Sequence, residues 1–83
     1  MKIITIKVTE KHIAKGIRVH GDKCPVALAI KEKLKIERLC VYSYGANING
    51  NAVRFPRAAA LFVNRFDSGK SVKPFSFKLK LNP

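Results

Sequence analysis

Acidic side chains are scarce: 5 Asp and Glu stand against 17 Lys and Arg, a formal charge of +12 on 83 residues. That exceeds the magnitude of about 2 to 8 usual for a small soluble domain. Self-repulsion of this size opposes compaction, so an anionic partner would give the excess a use. Nucleic acid, an acidic protein and an anionic lipid surface all satisfy the same physics.

Cysteine is nearly missing as well. Cys24 and Cys40 are too few for a cysteine-only zinc site and lack the short paired spacing of a zinc knuckle. They read as reduced thiols packing as small hydrophobes, which fits a cytoplasmic protein. No apolar run approaches the roughly 18 residues of a membrane span. The opening "MKIITIKVTEKH" is too quickly polar for a secretory signal and alternates like a strand. A Gly-rich Walker loop and a His-Glu-x-x-His helix are both missing, so no cofactor, metal or catalytic residue is expected. The length allows one domain, residues 1–83, and a composition of 47% hydrophobic and 27% charged residues marks it as globular rather than disordered.

Periodicity then supplies the elements. In residues 2–9, Ile4, Ile6 and Val8 fall on one side and Ile3, Thr5, Lys7 and Thr9 on the other, as in a strand with one buried face. "EKHIAKG" predicts at most a single helical turn ended by Gly16. Pro25 opens a helix to about Lys35, with Val26, Ala29, Ile30 and Lys33 or Leu34 at helical spacing and Lys35 near its negative end. Asn49-Gly50 suits a two-residue hairpin turn, setting Ile48 opposite Asn51, Ala46 opposite Val53 and Tyr44 opposite Phe55. That register gathers Tyr42, Tyr44, Val53 and Phe55 on one side, and Leu39, Val41, Gly45 and Arg54 on the other. Pro56 opens a second helix with the stripe Ala59, Phe62, Val63 and Phe66, stopped at Asp67-Ser68-Gly69. The terminal strand alternates, Phe75, Phe77, Leu79 and Leu81 inward, Ser76, Lys78 and Lys80 outward.

Strand, helix, strand, strand, helix, strand is the order of a ferredoxin-like (βαββαβ) α+β domain, an antiparallel sheet with both helices on one face. Its competitor is an α+β fold of the same elements in another strand order, with residues 10–20 as an added helix.

His12, His20, Asp22 and Cys24 lie close in sequence. A thiol with a base and an acid can form an activated nucleophile, and Cys24 would sit at a helix N-terminus where a thiolate is favoured. The spacing matches no nucleophile context and no zinc signature, so surface histidines and a cap-region cysteine account for it better. "RVHG" resembles the phosphate loop of the acylphosphatases. That resemblance implies a small phosphate-cleaving enzyme with an arginine soon after the loop, whereas Cys24-Pro25 stands near that place and Arg18 precedes it. The fold also resembles the RNA-recognition motif, but "GNAVRF" lacks that family's basic-aromatic string and "ITIKVT" has no aromatic.

For nucleic acid, Tyr42, Tyr44 and Phe55 form a base-stacking platform if their side of the hairpin faces solvent, and ordinary core packing if it does not. Lys31, Lys35, Arg54, Arg57, Arg65, Lys70, Lys73, Lys78 and Lys80 are the candidate phosphate contacts, effective if gathered on one side and a solvated surface if dispersed. "HIAKG", "CPVALAI" and "LFVNRFDSGKSVKPFSFKL" together resemble a family of small uncharacterised bacteriophage proteins over residues 3–81. That resemblance implies a viral origin and a host cytoplasm, and carries no activity or binding residues with it. The expectation is a non-enzymatic module that contacts the backbone of DNA or RNA with little sequence preference. The alternative is a module that binds an acidic host protein.

Overall fold

The computed structural model describes residues 2–18, 21–42 and 44–81. The element order is β1 (Lys2–Val8), α1 (Glu10–Lys15), α2 (Pro25–Leu34), β2 (Leu39–Val41), β3 (Gly45–Ile48), β4 (Asn51–Arg54), α3 (Arg57–Asp67) and β5 (Phe75–Leu81). This is a small mixed α+β domain.

The single ferredoxin-like sheet is not formed among the described residues. β1 pairs antiparallel with β5, and β2-β3-β4 make a separate antiparallel meander. β4 lies beside β5 without joining the two ladders. The first and last strands instead form a two-stranded ladder of their own. An added helix, α1, is the feature anticipated for the competing fold.

α1 begins at a reciprocal cap in which Thr9 and His12 exchange side-chain and backbone hydrogen bonds, which offsets the cost of nucleating so short a helix. α2 has Pro25 in its first turn and ends on Lys35 in a left-handed conformation (φ 55°, ψ 48°). Pro56 caps α3, and its carbonyl accepts from the amides of Ala59 and Ala60, both at 3.1 Å.

One core joins these elements. Ile6 and Val8 of β1, Val26, Ala29 and Ile30 of α2, Ala59, Phe62 and Val63 of α3, and Phe77 and Leu79 of β5 are all buried within it. The apolar residues of α2 and α3 thus share one core with the inward residues of β1 and β5. All five phenylalanines form a connected series of rings: Phe66 to Phe62 at 6.4 Å, Phe62 to Phe75 at 4.6 Å, and Phe75 to Phe77 and Phe77 to Phe55 at 5.5 Å each. Rings at these separations add to simple burial, and the series pins α3 and the end of β4 to β5.

The Asn49-Gly50 turn has both residues at positive φ, 51° and 87°, and it sets Ile48 opposite Asn51 and Ala46 opposite Val53 as expected. The strand before it is not continuous. The chain reverses between Val41 and Gly45, so Leu39 pairs with Ile48 and Val41 with Ala46. Paired residues share a face, so Leu39 and Val41 move to the side of Val53 and Phe55 and become buried. The expected placement of Leu39 and Val41 on the side opposite Val53 and Phe55 is thereby corrected. Tyr42 and Tyr44 lie at the reversal and are exposed.

Candidate nucleic-acid interface

The register of β1 with β5 builds the first candidate surface. Ile3 pairs with Lys80, Thr5 with Lys78 and Lys7 with Ser76, and all six are exposed. Residues two apart on a strand are about 6.8 Å apart, and diagonal cross-strand neighbours about 7–8 Å apart. The ammonium groups of Lys7, Lys78 and Lys80 thus project from one ribbon face, with threonine and serine between them and no acid among the six positions. At the flank, Lys33 and Glu32 of α2 line a cleft of about 580 Å³ together with Thr5 and Lys7.

The nine cations expected from the sequence do not all converge there. Lys78 and Lys80 do. Arg65 and Lys73 line a different cleft, of about 590 Å³, with Leu61, Val72 and Pro74. Arg54 borders the tyrosines. Lys31 Nζ donates to the Asp22 carbonyl oxygen at 2.6 Å, which ties it to the loop before α2. Lys35 closes α2, while Arg57 and Lys70 are exposed at the two ends of α3. Lys7 and Lys33, which adjoin this surface, were not among the cations singled out from the sequence. The outward side of Lys7 was legible in its alternation, but its neighbours follow only from the pairing of the chain's two ends.

The stacking trio is divided. Tyr42 and Tyr44 are 46% and 68% exposed, with ring centroids 6.0 Å apart and planes 17° from parallel. Phe55 is buried against Phe77 and is lost to any platform.

Cys24 is the N-cap of α2, and its Sγ accepts from the Ala27 amide at 3.4 Å. Burial, which exceeds the opposing effect of that hydrogen bond, holds the thiol above its ordinary pKa, with the charge of Asp67 acting in the same direction. This corrects the expectation that the helix N-terminus favours its thiolate. His12 is buried, and its Nδ1 accepts from the Thr9 amide at 3.0 Å. An accepting Nδ1 carries no proton, so the ring proton resides on Nε2, which faces Glu32 Oε2 at 3.2 Å. His12 is therefore engaged in holding α1 to α2. His20, the third member of the expected set, lies outside the described residues.

The loop before α2 is stitched to its surroundings. The Val41 amide donates to the Gly21 carbonyl at 2.6 Å and the Ile17 amide to the Lys23 carbonyl at 2.9 Å. A Cβ on Gly16 would collide with the Pro25 ring, and one on Gly21 with Cys40 Sγ. The two glycines serve close packing at these points. Among the described residues no group of three or more His, Cys, Asp or Glu is placed to hold a metal ion, and no helix is long and apolar enough to cross a membrane.

Comparisons with protein-family models, curated proteins and solved structures find no match to this chain.

Proposed function

We propose that the protein is a binding module for the nucleic-acid backbone, with the outer face of β1 and β5 as its contact surface. The observation that carries this reading is the pairing that sets Lys7, Lys78 and Lys80 among six exposed strand positions of which none is acidic, with Glu32 of α2 at the flank beside Lys7. Three cations within roughly 14 Å of strand act together over a Debye length of about 10 Å at 0.1 M salt. They neutralise neighbouring phosphates and release counterions, a term that ignores base sequence. From the resemblance to small bacteriophage proteins, the setting we propose is the cytoplasm of an infected host.

The test replaces Lys7, Lys78 and Lys80 together by Gln and, as a control of equal charge change, the exposed Lys11, Lys15 and Lys23. Affinity for single- and double-stranded oligonucleotides is measured across salt. Removing three phosphate contacts should lower the slope of log affinity on log salt by about 2 for single strands, with the control nearly unchanged. Equal losses in both triples, or no salt-sensitive binding by the parent protein, would overturn the reading.

A second reading has an observation of its own. The α3 cleft combines Leu61, Val72 and Pro74 with Arg65 and Lys73, a mixture suited to an acidic protein segment carrying an apolar residue. A protein partner retained from nuclease-treated lysate, and released by Leu61→Asp, would favour it. Retention unaffected by that change would count against it.

A further inference from the structure

The chain has two tyrosines and no tryptophan, and both tyrosines stand on the solvent side of the β2-β3 reversal. Each could have joined the phenylalanine series that organises the core; neither does. Tyr42 is fixed from behind, its amide donating to the Gly45 carbonyl at 2.7 Å. The Cys40 thiol beside its hydroxyl raises the phenol above its ordinary pKa, so the ring remains neutral at physiological pH.

Two clefts adjoin Tyr42. One, of about 340 Å³, includes Tyr44 and Arg54; the other, of about 330 Å³, includes Arg38 and Cys40. Asn47 lines both. An aromatic surface thus has a guanidinium to either side and an amide between. An unpaired nucleotide asks for the same set: a π-face for its base, a cation for its phosphate, and a donor and acceptor for its base edge.

We propose that Tyr42 and Tyr44 are a stacking platform for unpaired bases, with Arg38 and Arg54 contacting flanking phosphates, so that the protein prefers single-stranded nucleic acid to duplex. The inference rests on the backbone-binding reading and names its substrate class. In a duplex the bases are already stacked and paired, and drawing one out costs a few kcal/mol. A single strand offers its bases without that cost, so the tyrosines discriminate while the lysines attract both forms.

The chain supplies its own probe, because its ultraviolet emission comes from these two rings. Tyrosine emission is followed, with inner-filter correction, during titration with a single-stranded homopolymer, the matching duplex and inorganic polyphosphate. Quenching by the single strand that polyphosphate and duplex do not reproduce is expected. In parallel, a labelled oligonucleotide reports the affinity of Y42A/Y44A and Y42F/Y44F. The alanine pair should lose about ten-fold or more for single strands and keep its duplex affinity, while the phenylalanine pair, which retains the rings, should stay within about two-fold of the parent.

Equal quenching by polyphosphate, or an alanine pair that binds single strands as the parent does, overturns the platform and leaves the lysine surface standing. If the sheet-face triple binds unchanged while the alanine pair does not bind, the lysine reading falls and the platform stands. A parent protein that binds no polynucleotide overturns both. Should the alanine pair fail to fold, the emission titration of the parent and the phenylalanine pair decide.

Discussion

At a helix N-terminus a thiol is drawn two ways: oriented amides favour the thiolate, and removal from water favours the neutral form. In Cys24 burial is the larger effect, and Asp67 adds to it. The side chain therefore serves as a helix cap and lies in the core, which a cysteine followed by proline does not reveal in sequence. Two outcomes follow for it. Alkylation of the native protein near neutral pH should proceed at Cys24 only as fast as the fold opens, as read by peptide mass spectrometry; rapid modification without unfolding would contradict the assignment. Because the folded thiol titrates above its unfolded value, its contribution to stability is complete below the unfolded pKa and is lost as the pH rises through the folded one. Urea melts between neutral pH and about pH 10 should show a steeper alkaline loss in the parent than in Cys24→Ser. His12 teaches the complementary lesson: it is a histidine consumed by structure, its two nitrogens engaged with Thr9 and Glu32.

Whole elements were easier to read than their ends. β1, α2, α3 and β5 follow from strict alternation or helical spacing, with Pro25 and Pro56 marking the helix starts, and Asn49-Gly50 forces a turn by its need for positive φ. The reversal between β2 and β3 escaped because "VYSYG" carries the aromatic and branched residues of a continuing strand, with Gly45 alone hinting at a break. Its consequence reaches beyond the turn, since reversing the chain there places the tyrosines outside and Leu39 and Val41 inside. Gly45 is essential to this arrangement for a steric reason. A Cβ there would meet the backbone carbonyl oxygen of Val53 on the paired strand, whereas one on Gly50 would meet nothing within 4 Å. Gly50→Ala should cost about 1 kcal/mol, the penalty of a left-handed residue. Gly45→Ala should cost about 2 to 3 kcal/mol, because two paired strands must separate to admit the methyl group. Chemical denaturation of both variants checks the order, and a Gly45→Ala no worse than Gly50→Ala would show that the meander is not held at this register.

Over the whole molecule, local pattern ran out at strand pairing. Alternation gave the two faces of each strand; it could not say that, among the described residues, the meander would keep its own ladder while β1 paired with β5 alone. The lysine face was hidden for the same reason, since Lys7 and Lys78 are 71 positions apart in sequence and meet only through that pairing. A surface assembled in this way has an energetic signature in the free protein. Like charges on one sheet face repel, and salt weakens the repulsion as the Debye length falls from about 30 Å at 0.01 M to about 3 Å at 1 M. The free protein should therefore melt at higher temperature as salt is added, while the polynucleotide complex proposed above should weaken over the same range. Replacing Lys7, Lys78 and Lys80 by Gln should raise the melting temperature in dilute salt by more than the Lys11, Lys15 and Lys23 control does, and the difference should shrink toward zero near 1 M. Melts of the two triples and the parent, followed by circular dichroism at both extremes of salt, test this without any ligand. If the sheet-face triple gains no more than its control in dilute salt, its ammonium groups stand too far apart to sense one another, and they are then too far apart to act as one surface toward a phosphate chain.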